Sequence, residues 1–266
     1  MHTPTVLTVA GFDPYAGAGI QIDTKTIHAL GGYALSVSTA VTAQNSQGVV
    51  AVEAVSEEML FLQLRTLLDD IRVDAVKIGM IANGALIEVL ADILHHYKLP
   101  NVVLDPVLVS SSGKPLLDPQ AVETMITKLF PLCRLITPNL NETNTLLGTD
   151  FQGEAREVPK MAEGLFAMGA RNILLKGGHT IEEEAVDYLV ELSSITRFAL
   201  PRITTSHTHG TGCILSSAIA TCLAKGEELA LSVKQAKHFL YDKLEHASKL
   251  QLHYVTDVSE RKEPIF

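Results

Sequence analysis

Short runs of β-branched and other apolar residues alternate, almost from end to end, with segments whose apolar positions recur at helical spacing. Residues 6–9 read as a first strand, followed by a turn through Gly11, Asp13, Pro14 and Gly17 and a helix over about 18–30. Residues 34–43 predict the next strand. Leu60, Leu64, Leu67, Leu68 and Ile71 predict a helix capped by Ser56, with Glu57 and Glu58 suited to its first-turn dipole. Four brief, mainly apolar runs, 75–78, 102–104, 135–137 and 173–175, have the form of parallel strands covered on both faces, Lys77 interrupting the first. Between them, Leu86, Leu90, Ile93, Leu94 and Tyr97 mark one helix, and Asp118 with Pro119 at the first helical position opens another. Residues 185–192 and 195–200 read as an antiparallel edge hairpin. Helices over about 211–224 and 230–250 follow, and 258–266 is a charged tail.

This β-α-β order predicts an α/β fold: a doubly wound, mostly parallel central sheet flanked by helices, with right-handed crossovers and one antiparallel edge hairpin. No linker rich in Pro, Gly or Ser interrupts it, so residues 1–266 read as a single domain. One stretch imitates a membrane span, because residues 29–52 carry no charged side chain. Gly31, Gly32, Ser36, Ser38, Thr39, Gln44 and Asn45 are too polar or too poor at forming helix for lipid, and the stretch reads instead as a buried strand running into a polar loop.

Composition narrows the functions available. Lys+Arg number 21 against 30 Asp+Glu, a net charge of −9, which leaves no basic face for duplex nucleic acid. The chain has no Trp and only 5% aromatic residues, so a stacking platform for single strands is excluded as well. Three cysteines, Cys133, Cys213 and Cys222, form no CxxC pair, and the first residues lack the basic-then-apolar order of a secretory signal; both predict a cytoplasmic setting.

In open α/β sheets, ligands collect beyond the carboxyl ends of the strands. Distinctive polar groups stand at five such places: Gly11 to Pro14, Gln44-Asn45, Asp105-Pro106, Thr137 to Glu142, and Lys176-Gly177-Gly178. The strongest local signal is Thr208 to Cys213, just ahead of a helix of small residues. It reads either as a phosphate or oxyanion cradle, with unpaired N–H groups and a dipole behind them, or as a tight loop before a helix. Cys213 falls where a helix dipole lowers a thiol pKa, which suits a base; a buried structural thiol is the other reading, and the one given to Cys133 and Cys222. Asp105 and Glu142 form a carboxylate pair of the kind that holds Mg²⁺ beside phosphates, and Lys176 supplies a point charge; singly, each also reads as a surface charge or helix cap.

Other chemistries fail on spacing. No Walker A loop exists, and Gly17-Ala18-Gly19 is followed by Ile20-Gln21-Ile22, which breaks the dinucleotide fingerprint. His207 and His209 with Cys213 lack a second pair at zinc spacing.

Together, Ala10-Gly11, Asp13-Pro14, Gly17 to Gln21, Asp23, Thr42 to Asn45, Asp105 to Val107, Thr137 to Leu140, Glu142, Lys176 to His179 and Thr208 to Cys213 resemble the hydroxymethylpyrimidine/phosphomethylpyrimidine kinases of thiamin synthesis, in that family's order from about residue 5 to 250. The resemblance implies a ribokinase-like fold and ATP- and Mg²⁺-dependent phosphorylation of 4-amino-5-hydroxymethyl-2-methylpyrimidine, then of its monophosphate. It implies that Gln44 hydrogen-bonds the pyrimidine, with Gly11, Ala18, Asp23, Thr42, Met80 and Val107 around it. Asn139 and Glu142 match the family's NxxE motif for Mg²⁺, aided by Asp105. Gly210, Thr211, Gly212 and Cys213 match the anion hole, Cys213 standing where sugar-kinase relatives carry an aspartate base. Lys176 matches a phosphate-contacting lysine and Lys237 a second one, so that Asn139, Lys176, Thr211 and Lys237 serve ATP. A homodimer is implied as well, with small molecules as the only other partners and neither nucleic acid nor membrane. Phe12, Tyr15, Ala16, His207 and Ile214 depart from the family pattern near the pocket. Two rival readings follow: a pyridoxal or pyridoxine kinase, and a non-catalytic pyrimidine-binding regulator on the same fold.

Overall fold

The computed structural model describes residues 2–45, 48–109, 116–118, 120–177, 183–205 and 208–247. Along the chain run β1 (Thr5–Phe12), α1 (Gly19–Ala29), β2 (Tyr33–Asn45), β3 (Gly48–Ala54), α2 (Glu57–Leu68), β4 (Ala75–Ile78), α3 (Gly84–Tyr97), β5 (Val102–Leu104), α4 (Ala121–Lys128), β6 (Leu135–Ile136), α5 (Leu140–Leu147), α6 (Val158–Ala167), β7 (Ile173–Leu175), β8 (Glu184–Glu191), β9 (Ser194–Pro201), α7 (Thr211–Ala224) and α8 (Leu229–Glu245). Expectations for Pro119, Gly178, His179, His207, the end of the 230–250 helix and the tail lie outside the described residues.

The strands form one sheet in the order β3-β2-β1-β4-β5-β6-β7-β8-β9. From β2 to β7 every pairing is parallel, and β8 and β9 form the expected antiparallel edge. Two-residue alternation divides the apolar runs between two cores. Val6, Ala75, Val103, Leu135 and Leu174 pack with Ile27, Leu215, Ile219 and Val233 on the side of α1, α7 and α8. Leu7, Val9, Val76, Ile78, Leu104 and Ile136 pack with Leu60, Leu64, Leu86, Leu90, Met125 and Leu165 on the other. Burying a Leu or Ile side chain fully contributes about 1.5–3 kcal/mol, so these short strands are held chiefly by what covers them.

The uncharged stretch is not a buried strand leading into a loop. β1 pairs with β2 only as far as Val41, and beyond that point β2 is paired with β3 in an antiparallel ribbon that projects past the strand ends. With one partner instead of two layers around it, the ribbon exposes Val41 and Val50. The helix expected from Asp118 starts at Ala121, after the Asp118 carboxylate accepts the Gln120 N–H at 3.0 Å. α5 and α6 were not expected: α5 has only eight residues, and α6 opens behind Glu157 with Pro159 in its first turn and no side-chain cap. α7 is buried all round from Ile214 to Leu223, which its small residues permit; Ser216 and Thr221 satisfy their hydroxyls on carbonyls one turn back, at 2.8 and 2.7 Å. Among the described residues no helix is long and apolar enough to cross a membrane.

Candidate active site

The carboxyl ends of β1, β5, β6 and β7 face the amino terminus of α7. Lys176 leaves β7 beside Asn139, to which it is bridged, and its ammonium donates to Asp105 Oδ1 at 2.6 Å while standing 3.9 Å from Glu142 Oε2. Asn139 and Glu142 form a capping box on α5: each side chain accepts the other's backbone N–H at 2.8 Å. The helix cap therefore also aims Glu142 inward. Opposite them, a Cβ on Gly212 would lie 3.0 Å from Asp105 Oδ2 and 3.3 Å from Lys176 Nζ, so the bare glycine lets the α7 amino terminus approach the charged cluster. Four motifs distant in sequence meet at one point.

The electrostatics leave this cluster one positive charge short. Burial, helped by the neighbouring Asp105 carboxylate and opposed by Lys176, pushes Glu142 up to about 7. Burial works against the charge on Lys176, yet Asp105 and Glu142 hold its pKa above the ordinary lysine value. Two buried carboxylates against one ammonium fit a hard divalent cation, and no group of three His, Cys, Asp or Glu ligands occurs among the described residues, so such an ion would keep water.

Gly210 has φ +81°, and a side chain there would collide with the Gly17 carbonyl oxygen; Gly19, at φ +60°, is held in the same way against Gly11. The loop after β1 and the loop before α7 thus pack backbone on backbone. Thr211 Oγ closes its own turn on the Thr208 carbonyl at 2.9 Å. At this seam Cys213 Sγ accepts the Gly19 N–H, but the expectation of a lowered thiol pKa is overturned: burial, with Asp23 and Asp105 nearby, outweighs Lys77 and the amide and pushes the thiol up to about 11. Cys213 is protonated at neutral pH. Its alkylation by iodoacetamide is accordingly expected to rise about tenfold per pH unit well beyond pH 8.5, where an ordinary thiol levels off. A plateau near 8.5 in the mass-spectrometric rate profile would show a thiol of ordinary acidity.

Above the seam, Asp13 accepts the N–H groups of Tyr15 at 2.9 Å, Gly17 at 3.1 Å and Ala18 at 2.9 Å. Its Oδ2 also lies 3.3 Å from His209 Nε2, which in turn lies 3.0 Å from Gln44 Nε2 on the β2–β3 ribbon. Thr42, beside Gln44, donates to the Phe12 carbonyl at 3.1 Å. A Cβ on Gly11 would sit 3.1 Å from Met80 Sδ, and Val107 turns back on Asp105 through a 2.8 Å backbone bond. Gln44, Gly11, Ala18, Thr42, Met80 and Val107 thus belong to elements that converge around the α7 amino terminus.

One expected ligand contact is corrected. Asp23 does not line the cleft: it is 0% exposed, its oxygens take Lys77 Nζ at 2.9 and 2.8 Å, Thr8 Oγ at 2.6 Å and Ser217 Oγ at 2.7 Å. Four elements, β1, α1, β4 and α7, are joined at this one carboxylate. Lys237 gives its ammonium to Asp187 Oδ2 at 2.6 Å, while Asp187 Oδ1 accepts the Gly177 N–H at 2.9 Å, so Lys237 is tied through Asp187 to the residue next to Lys176. Lys77, Asp187 and His209 were missed as partners. Lys77 left a legible trace, since a charge inside a strand covered on both faces requires a buried counter-charge.

A mostly parallel sheet with this constellation at its strand ends is shared with solved phosphotransferases of the ribokinase-like class. Within that class, the family model for phosphomethylpyrimidine kinase matches residues 13–258. The hydroxymethylpyrimidine/phosphomethylpyrimidine kinase of Escherichia coli K12 is 43% identical over 252 residues, 95% of each chain. Among solved structures, a phosphomethylpyrimidine kinase from Clostridium difficile 630 is 37% identical, with a TM-score of 0.79 over 90% of this chain and 98% of that one. Pyridoxal kinase from Bacillus subtilis, solved as an ADP complex, is 32% identical with a TM-score of 0.86 over 94% and 95%. The chain belongs to the phosphomethylpyrimidine kinase family.

Proposed function

We propose that this protein transfers the γ-phosphoryl group of ATP to the hydroxymethyl group of 4-amino-5-hydroxymethyl-2-methylpyrimidine, and then a second to the resulting monophosphate. The observation that carries this reading is the meeting of Lys176, Asp105 and Glu142 with the bare backbone of Gly212 at the amino terminus of α7. Phosphoryl transfer through a loose transition state needs position and charge neutralisation more than a strong base. The backbone N–H groups of Gly212 and Cys213 face the transferred group, and Lys176 contacts its oxygens. Asp105 and Glu142 would hold Mg²⁺, which when bound neutralises phosphate charge; Asn139 fixes Glu142 for that task. The substrate hydroxyl oxygen forms the new P–O bond as the bond to ADP breaks, and its proton leaves late, to an oxygen of the transferred phosphoryl group. A protonated Cys213 suits this order, positioning the hydroxyl before the proton departs. Cys213→Ala is expected to lower kcat by about 10²-fold, with Cys213→Asp retaining part of the rate; an unchanged alanine variant would leave the thiol only a packing role.

The pyridoxal alternative draws support from the TM-score of 0.86 to the Bacillus subtilis enzyme, against 0.79 for the pyrimidine kinase. The family match over residues 13–258 and the 43% identity weigh toward the pyrimidine. Steady-state assays with Mg-ATP and each alcohol decide: the pyrimidine is expected to lead in kcat/KM by about tenfold or more, and a lead of that size for pyridoxal would reverse the assignment. Binding without transfer would instead favour a regulator. The same reading carries a homodimer in a cytoplasmic setting, supported by the family resemblance and by the exposed Val41 and Val50 of the ribbon.

A further inference from the structure

His209 Nε2 faces two groups that make opposite demands on it. Asp13 Oδ2, at 3.3 Å, can only accept, and against the opposing effect of burial His209 and the Tyr15 and Ala18 amides hold the Asp13 carboxyl below the usual carboxylate range. A bare nitrogen lone pair aimed at that carboxylate would be repelled, so Nε2 carries the proton. The other neighbour, 3.0 Å away on the Gln44 amide, must then be an acceptor, the carbonyl oxygen and not the nitrogen drawn there.

The far side of the amide accommodates the same arrangement. Thr42 has one hydroxyl proton, within reach of the Phe12 carbonyl at 3.1 Å and of the Gln44 atom at 3.3 Å; given to the nearer Phe12 carbonyl, it leaves Thr42 Oγ1 to accept from a Gln44 N–H. Turning the amide by half a rotation satisfies both ends at once. His209 Nε2–H is then shared between Asp13 Oδ2 and the Gln44 carbonyl, and the Gln44 amino group donates to Thr42.

We propose that His209, held by Asp13, is a specificity-determining residue that locks the Gln44 amide with its carbonyl toward the histidine and its amino group toward Thr42. So held, the amide turns one carbonyl lone pair and one N–H outward, side by side. That edge complements a ring with a donor and an acceptor on adjacent positions, as the 4-amino group and N3 of a 4-aminopyrimidine provide, in the manner of a glutamine reading adenine. A ring with an aldehyde and a hydroxyl at those positions, as in pyridoxal, cannot give its aldehyde oxygen to the carbonyl. The inference rests on the functional reading above and extends it from Gln44 to the residue that orients it.

The direct test is ¹⁵N NMR of the full chain labelled at histidine, with His209 assigned by loss of its signal in His209→Gln. Nε2 is expected to be the protonated nitrogen; a bare Nε2 overturns the proposal whatever the substrate. Kinetics give the second test. His209→Leu is expected to raise KM for the aminopyrimidine about tenfold, with kcat within about threefold, and to lower the pyrimidine-to-pyridoxal ratio of kcat/KM by about tenfold. His209→Gln, which restores an N–H donor, is expected to recover most of that ratio. An equal loss on both alcohols, or no change in the ratio, would mean that His209 only shapes the loop, and the proposal would fail. A wild-type enzyme that phosphorylated pyridoxal but no aminopyrimidine would defeat the functional reading instead, and the locked amide would then stand or fall on the NMR result.

Discussion

Replacing Lys176 by alanine is expected to lower kcat by about 10²–10³-fold, the cost of one charge-stabilising donor in a preorganised site, while affinity for the pyrimidine alcohol changes by less than about threefold. The asymmetry follows from position. Lys176 Nζ lies 2.6 Å from Asp105 and would stand 3.3 Å from a Cβ on Gly212, on the charged side of the site, whereas Gln44, Thr42 and Met80 belong to the ribbon and to the loop after β4. An arginine in its place is longer and planar and is not expected to restore the rate. Steady-state kinetics with calorimetric binding of the alcohol separate the two effects. Equal losses in binding and turnover would place Lys176 against the pyrimidine, and a kcat loss below about tenfold would remove it from the transfer step.

Lys77→Met is expected to destabilise the fold by about 3–5 kcal/mol, because Asp23 is left as a buried charge without its counter-ion. Both side chains are 0% exposed, and burial alone would lower the Lys77 pKa; the Asp23 carboxylate instead raises it well above the ordinary value. The partner variant tests the cause. Lys77→Met combined with Asp23→Leu removes both charges and is expected to recover stability to within about 1–2 kcal/mol of wild type, since an apolar pair of similar volume replaces an ion pair at little net cost. Ser217 can then turn its hydroxyl to the carbonyl one turn back, as Ser216 and Thr221 do. Urea midpoints at constant slope give the comparison. A single variant that lost less than about 1 kcal/mol, or a double variant no better than the single, would show that the ion pair does not join the four elements.

Much of the molecule was legible from local pattern. Apolar runs such as 102–104 and 173–175 are strands covered on both faces, and Ser56 caps a helix where its short polar side chain can reach a free N–H. The glycines Gly19, Gly210 and Gly212 stand where backbone must meet backbone or a charged cluster. The ribbon was misjudged because hydropathy does not distinguish a strand between two layers from one that outruns its neighbour. Cys213 was misjudged for a related reason: a helix dipole is a local property, whereas burial and the nearby Asp23 and Asp105 depend on chain segments far away in sequence.

The sequence by itself determined the α/β order, the strand ends at which chemistry gathers and the family to which the motifs belong, because these depend on residue type and short-range spacing. Only the tertiary structure decided which charges pair. It turned Asp23 from a ligand contact into an internal support, paired Lys237 with Asp187, joined Asp13 and His209 to Gln44, and set Lys176 between Asp105 and Glu142. The physical reason is that electrostatic partnership depends on distance and burial, and residues such as Asp23 and Ser217 come within 2.7 Å only when the sheet and its two layers of helices have closed.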